Sequence, residues 1–194
     1  MAIGSPGKAA RLDQLRTFAK VQVWSGFHSP HQVRADVCAA VLDEVKDAAE
    51  AQRLADGYLS SASEELAAAS STWPAVTEFD RLQAALGDLA ASDIVVLQAC
   101  DDHWEANEAL QARATEGRPP RGIAYFTHTD VWHAVEHGML EVNVWHGDSA
   151  NVGPTDGLLT EVIGVLEQHG LAAHFDEGRI EVSVRWERRL RASG

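Results

Sequence analysis

Cysteine is scarce in this sequence, and its scarcity excludes one class of protein. There are two cysteines, Cys38 and Cys100, and they lie far apart along the chain. Small secreted domains that depend on disulfides carry several cysteines at short spacings. The usage seen here fits a reduced environment, so we expect a cytoplasmic protein.

Basic residues are also few. Lysine and arginine together number 16 against 29 acidic residues, and the formal net charge is -13. Nucleic-acid binding depends on cations that neutralise phosphates, so we expect no nucleic-acid partner. An acidic surface favours solubility, and its field also steers basic partners towards it.

Long apolar runs and several catalytic motifs are missing as well. No run approaches the roughly 20 residues of a membrane-spanning helix, and the N-terminus lacks the continuous apolar segment of a signal peptide. We therefore predict neither feature. The sequence also has no serine in a nucleophile elbow, no glycine-rich loop with phosphate spacing and no Cys-x-x-Cys pair.

The first part of the chain predicts a strand followed by helices. Residues 1–17 are expected to form a disordered or weakly ordered tail. Residues 18–26 are rich in β-favouring side chains and predict a strand. Ser29 followed by proline marks a helix start. Helical character then continues to about Ala69, with a break predicted at Gly57.

A second helix start lies at Thr77. Thr77 and Asp80 have the spacing of a capping box, in which each residue's side chain bonds the other's backbone N–H. Pro74 prevents a helix from continuing into this position from upstream. Apolar residues then recur at helical spacing, which predicts a helix over 78–91.

Beyond this helix, strands and helices alternate. The predicted strands are 94–97, 123–127, 140–145, 171–175 and 179–186, and the predicted helices are 102–115, 130–137 and 156–169. Thr129 is expected to cap the second of these helices and Gly138 to end it. Helices between strands imply crossover connections, and the closing hairpin adds an antiparallel pair.

This pattern predicts an α+β fold. We expect a mixed sheet of about five strands with flanking helices, preceded by a strand and a mainly helical N-terminal region. The expected organisation is a tail over 1–17, a strand plus helical region over 18–72 and an α/β core over 73–190. Residues 18–190 are expected to fold as one cooperative domain.

Three parts of the chain together resemble a known family. They are the Trp-Pro-x-x-Thr-x-x-Asp-Arg-Leu block at 73–82, the glycine-aromatic strand at 122–126 before Asp130, and the closing hairpin that ends at Trp186-Glu187-Arg188. The segment is similar to bacterial proteins known only as a domain of unknown function. Relatives have closely spaced cysteines where this chain has Cys100 alone. The resemblance implies an α/β fold and transfers no functional residue.

The sharpest chemical pattern is His133-Ala134-Val135-Glu136-His137, the H-x-x-E-H signature of inverted zinc peptidases. On a helix the two imidazoles share a face and could reach one Zn²⁺, with Glu136 as base. In the structural alternative the match is accidental, because the helix is short and a chain with nine histidines readily contains such a pattern by chance. A histidine at position 137, near the C-terminus of the helix, also interacts favourably with the helix dipole. We favour that alternative and predict no cofactor. Zn²⁺ remains the weaker hypothesis, with candidate ligands Cys100, His103, His133 and His137.

Two groups of polar residues follow predicted strands, where pockets form in open sheets. The candidate pocket residues are Cys100, Asp101, Asp102, His103, His128 and Asp130. A histidine and an aspartate there could act as an acid/base pair. In the alternative, Asp101 or Asp102 caps a helix and Asp130 meets the helix dipole.

Six tryptophans are many for this length. Most are expected to fill the core. Trp145 alternates with the apolar residues of its strand, so it is expected to be exposed or to pack under a helix. An exposed tryptophan beside an acidic surface would mark an interaction site.

From the sequence we expect a protein that is not an enzyme and acts by binding a basic protein partner. Immunity-type or regulatory proteins provide the analogy. The alternative is a metal-dependent or small-molecule-binding enzyme with its site near Cys100–His103 and His128–Asp130. A homo-oligomer joined through its tryptophans is the third alternative.

Overall fold

The computed structural model describes residues 7–190, and this range contains seven helices and five strands. The helices are α1 (Lys8–Ser25), α2 (Pro30–Val45), α3 (Ala48–Ser70), α4 (Glu78–Ala91), α5 (His103–Thr115), α6 (His128–His137) and α7 (Gly157–Gln168). The strands are β1 (Ile94–Cys100), β2 (Gly122–Thr127), β3 (Met139–His146), β4 (Ala173–Asp176) and β5 (Arg179–Ser183). The fold class is α+β, as predicted.

The chain divides into two compact units. Within the described range, residues 7–73 together with 188–190 form the first, which we call the helical unit. Residues Pro74–Glu187 form the second, the sheet unit. Across residues 7–190 no helix is both long and apolar enough to cross a membrane.

In the helical unit, α1, α2 and α3 pack around a core of small and β-branched side chains. The buried members are Ala19, Val33, Val37, Val41, Ala51 and Ala55. Alanine lets helix backbones approach closely, and the valines of α2 recur every fourth residue, so they form one ridge along that helix. The four-residue spacing of these valines therefore marks the buried face of α2.

The predicted strand at 18–26 is wrong, because residues 8–25 form α1. The tail predicted over 1–17 is also wrong for residues 8–17, while residues 1–6 lie outside the described range. Leu15, Ala19 and Val23 are spaced by four and all pack into the helical core. Burial of this stripe overrides the β propensity of the individual side chains.

The break in the long N-terminal helical region lies ten residues before the predicted position at Gly57. α2 ends at Val45, its C-cap Lys46 has a left-handed φ of 60°, and Asp47 caps α3 by accepting the backbone N–H of Glu50. Ser29 caps α2 as predicted. Gly57 continues α3, since one glycine costs a helix only about 1 kcal/mol and packing of the surrounding face outweighs that cost.

The sheet unit contains one mixed sheet in the order β1-β2-β3-β5-β4. β1 and β2 are parallel, and the remaining pairs are antiparallel. α4 begins with the predicted capping box, in which Thr77 and Asp80 bond each other reciprocally. α5 makes the crossover between the two parallel strands.

The two faces of the sheet differ in polarity. Leu140, Val142 and Val144 are buried, as predicted for a half-buried strand. The opposite face of β3 presents Glu141, Asn143 and Trp145, of which Trp145 packs edge-on against Tyr125 with ring centroids 4.8 Å apart. Trp145 belongs to the apolar cluster under α5, so the packed alternative is confirmed.

Candidate functional site

The candidate site lies where parallel strands β1 and β2 end and α5 and α6 begin. This is the edge at which sites form in open sheets. β3 runs antiparallel to β2, with Tyr125 opposite Asn143. Glu141 is two residues before Asn143 on β3. Its side chain therefore lies on the same face of the sheet as Tyr125, near the start of α6.

A bulge in β1 sets the orientation of Cys100. The pairing with β2 shifts between Gln98 and Cys100, and Ala99 has a left-handed φ of 53°. Because the extra residue reverses the alternation of faces, Cys100 pairs with Thr127 and packs in the α5 cluster beside Tyr125. The sequence contains no glycine or other signal for this bulge.

The Cys100 thiol is a poor nucleophile. It is 2% exposed, and its sulfur donates a hydrogen bond to the carbonyl of Phe126 at 3.5 Å. Burial, followed by the nearby Glu105 carboxylate, raises the pKa of the Cys100 thiol to about 11. At neutral pH the group is therefore protonated, and attack by a thiolate is disfavoured.

The residues after Cys100 shape the start of α5. The carboxylate of Asp102 accepts the backbone N–H groups of Trp104 at 2.8 Å and Glu105 at 3.1 Å, which makes it the N-cap. The Asp101 N–H donates to the Glu105 carboxylate at 2.8 Å. His103 is exposed and packs against the ring of Trp104.

The structure brings the two predicted groups of polar residues together. The imidazole Nε2 of His128 lies 3.8 Å from a carboxylate oxygen of Asp101. The predicted cap at Thr129 is wrong, because α6 begins two residues earlier, at His128, and Thr127 is its N-cap. Thr127 can accept the N–H of Asp130 from this position, whereas Thr129 already has helical geometry.

Asp130 is 6% exposed and completes a capping box with Thr127. The backbone N–H and hydroxyl of Thr127 donate to Oδ2 of Asp130 at 2.7 and 2.8 Å. Burial is the main cause that raises the pKa of Asp130. The two bonds from Thr127 lower this pKa, and the Glu141 carboxyl raises it. Two carboxyl groups therefore share a sheltered position.

His133 completes the cluster. Oxygen or nitrogen ligand atoms of Asp130, His133 and Glu141 all lie within 4.8 Å of one another. Glu141 also forms an ion pair with Arg179. The Nδ1 atom of His133 is buried without a hydrogen-bond partner. Within residues 7–190 this is the one group of three or more such side chains placed to hold a metal ion.

The other predicted ligands lie outside this cluster. His137 is exposed at the end of α6, with its ring centroid 6.2 Å from that of His133. Cys100 and His103 are not members either. The sequence does not indicate Glu141 and Arg179 as site residues. Each looks like an ordinary surface charge in a strand where polar and apolar residues alternate. Only the pairing of β2, β3 and β5 places them beside α6.

The comparisons with known proteins give a family and no activity. Residues 8–190 match a family described as a domain of unknown function. No curated protein and no solved structure matches the chain. The expected membership in a domain-of-unknown-function family is thereby confirmed, and the match covers α1–α3 as well as the sheet unit. The chain belongs to the domain-of-unknown-function family DUF6891.

Proposed function

We propose that this protein is not an enzyme and that it binds a basic protein partner through the sheet unit. The observation that carries the proposal is the distribution of charge. The sheet unit contains 20 acidic and 6 basic residues, a formal charge of -14. The remaining residues, 9 acidic and 10 basic, carry a charge of +1.

This distribution supports a specific role for the acidity. If solubility alone required negative charge, both units would be expected to carry it. Four of the six arginines in the sheet unit are already in ion pairs, namely Arg113, Arg121, Arg179 and Arg185. The unit therefore presents a large uncompensated negative field, which accelerates encounter with a basic partner.

Exposed tryptophans supply the apolar contact that such an interface needs. Trp104 on α5 is 64% exposed and Trp132 on α6 is 39% exposed. Both helices begin at the carboxyl ends of the parallel strands, and Asp101 before α5 and Glu108 within α5 are also exposed. We call these four residues the acidic edge. Tryptophan is enriched among binding hot spots, and polar residues form the rim of a typical interface.

The state of the polar residues supports binding over catalysis. Cys100 is held as a buried thiol, Asp102 caps a helix, and Asp130 is engaged by Thr127. The hydrogen bond from the Cys100 sulfur goes to the backbone carbonyl of Phe126, which cannot act as the general base that an activated nucleophile needs. A metal-dependent or small-molecule-binding enzyme at the same edge is the rival proposal, and the Asp130–His133–Glu141 cluster is the observation in its favour.

The test is to recover a binding partner and to compare its affinity for the wild type and for variants of the exposed residues. Tagged wild-type protein is incubated with lysate at low ionic strength, the retained protein is identified, and binding is measured again with both components purified. We expect W104A and W132A each to weaken binding by at least about 2 kcal/mol, or ~30-fold. Binding is also expected to weaken as salt rises.

The controls are exposed apolar residues outside the acidic edge. Val76 is 59% exposed and matches Trp104, while Leu42 is 39% exposed and matches Trp132. V76A and L42A should leave affinity unchanged. The proposal is contradicted if no basic protein is retained, or if the two tryptophan variants bind as the wild type does. Light scattering that shows a dimer lost in W104A would instead support the homo-oligomer alternative.

The proposal includes a cytoplasmic location. The two cysteines are both free thiols in the structure, and free thiols persist in reducing compartments. Fractionation of cells that express the untagged chain tests this part. Recovery of the protein outside the cytoplasm would contradict it.

A further inference from the structure

We propose that Asp130, His133 and Glu141 bind a divalent first-row transition-metal ion, with Zn²⁺ and Mn²⁺ as the best-fitting ions. Asp130 and His133 are three residues apart on α6 and so share one face of the helix. Glu141 comes from the adjacent strand β3, and the three ligand atoms lie within 4.8 Å of one another. Small side-chain movements bring such atoms to the roughly 2.0–2.2 Å that Zn²⁺ requires of N and O ligands.

The unpaired nitrogen of His133 is an independent observation for a ligand. Its Nδ1 atom is buried and has no hydrogen-bond partner. A buried polar atom without a partner is costly, and most such atoms in native proteins are satisfied by protein, water or an ion. The His133 ring lies 5.3 Å from the Trp132 ring and 6.2 Å from the His137 ring, measured between centroids.

The surroundings of the two carboxylates are arranged for a cation. Oδ2 of Asp130 accepts both bonds from Thr127, and the Glu141 carboxyl also lies within hydrogen-bond reach of Asp130. Outer hydrogen bonds of this kind orient metal ligands. Glu141 lines a cavity of about 80 Å³ with Asp176, Glu177, Arg179 and Glu181. The lining of this cavity is mostly acidic, and it adjoins the proposed site through Glu141 alone, since Asp130 and His133 do not line it.

The donor set decides the class of ion. One imidazole nitrogen with two carboxylate oxygens favours Zn²⁺, Mn²⁺ or Fe²⁺ over Cu⁺, which prefers sulfur, and over Ca²⁺, which prefers oxygen alone. Three protein ligands leave at least one coordination position for water. The site uses His133 but not His137 or Glu136, so it differs from the H-x-x-E-H site considered from the sequence.

Arg179 is the competitor for this ion. Its guanidinium pairs with Glu141, and an incoming divalent ion must share or replace this partner. We therefore expect R179Q to bind the metal more tightly than the wild type. If the ion bound instead at surface residues away from Glu141, removal of Arg179 would leave its affinity nearly unchanged.

The experiment is calorimetric titration of the untagged, chelator-treated full chain with Zn²⁺ and with Mn²⁺. We expect one ion per chain. H133Q and E141Q should each weaken it by at least about tenfold, while H137Q, on the same helix but outside the cluster, should not. Circular dichroism checks that each variant is folded. In the Co²⁺-loaded wild type, visible absorption bands should appear and should be absent in E141Q.

Two results would overturn the proposal. One is the absence of stoichiometric binding by either ion in the wild type. The other is equal loss of affinity in H137Q and H133Q, which would show adventitious binding by surface histidines. Neither result depends on a protein partner, so metal binding and partner binding are tested separately.

Discussion

The two compact units of this chain differ in both architecture and charge. The helical unit packs three helices through alanine and valine, and ion pairs such as Arg11–Glu44 and Arg34–Asp56 link its helices. The sheet unit carries 20 acidic residues against 6 basic ones. Even complete pairing of its arginines would leave fourteen carboxylates unmatched.

The difference shows that the overall charge of -13 is not a property of the whole surface. It belongs to the unit that also contains the exposed Trp104 and Trp132 and the Asp130–His133–Glu141 cluster. Negative charge that is concentrated beside candidate binding residues supports a role in recognition. The same charge spread evenly over both units would support a role in solubility alone.

The largest expected effect on stability comes from truncation of a side chain in the core of the sheet unit. Phe126 is 1% exposed and contacts Trp186 edge-on at 6.2 Å between centroids. We expect F126A to lower the free energy of unfolding by about 3–5 kcal/mol. V37A in the helical unit should cost about 2 kcal/mol, since it removes two methyl groups.

Chemical denaturation followed by circular dichroism and tryptophan fluorescence measures both core variants. Residues 18–190 are predicted to unfold as one cooperative domain, so each variant should shift a single transition seen by both probes. If two transitions appear and each variant moves only one, the units unfold separately and the prediction is wrong.

The next effect is a pH dependence that Cys100 contributes. The pKa of this thiol is raised from 9.0 to about 11 in the folded chain, first because of burial. Its contribution to stability is therefore fully present below about pH 9 and is lost as the pH rises to about 11. The loss is about 3 kcal/mol. Urea unfolding of wild type and C100S across this range should show a steeper fall in stability for the wild type than for C100S; equal slopes would contradict the prediction.

A smaller effect compares one helix cap in each unit. Thr77 is fully buried and shares a reciprocal capping box with Asp80, whereas Ser29 is exposed and makes one bond to the Gln32 N–H. We expect T77A to cost about 2 kcal/mol and S29A about 0.5–1 kcal/mol. Thermal unfolding measures both. Equal costs would show that burial of the cap adds nothing.

The smallest effect concerns exposed ion pairs. Arg34 pairs with Asp56 in the helical unit at 3.0 Å, and Arg185 pairs with Glu78 in the sheet unit at 2.9 Å. R34Q should cost at most about 0.5 kcal/mol. R185Q should cost slightly more at low ionic strength, because it adds to the repulsion in an already acidic unit. Urea unfolding with and without added salt should show a difference that salt removes.

Local signals in the sequence predict much of the fold. Ser29 and Thr77 are caps in the structure as predicted, because a cap depends on residues within one turn. The alternation at Leu140, Val142 and Val144 identifies a half-buried strand for the same local reason. The prediction is wrong at 18–26, where β-favouring side chains lie on a helix whose stripe packs into a core.

The candidate site was only partly predictable. The position after β1 and β2 follows from the rule that strand ends carry sites, and the structure brings Asp101 and His128 to that edge. Glu141 and Arg179 gave no signal, since each is an ordinary charged residue within an alternating strand. The bulge at Ala99 gave none either, because any residue type can occupy it when the surrounding sheet holds it there.

The sequence by itself determined where most helices begin, which strands are half buried, how acidic the protein is and which family it belongs to. These properties depend on neighbouring residues or on composition. Tertiary structure alone decided that His133 joins Asp130 and Glu141 rather than His137. A ligand set drawn from a helix and a strand depends on strand register, and register is set by burial across the whole sheet.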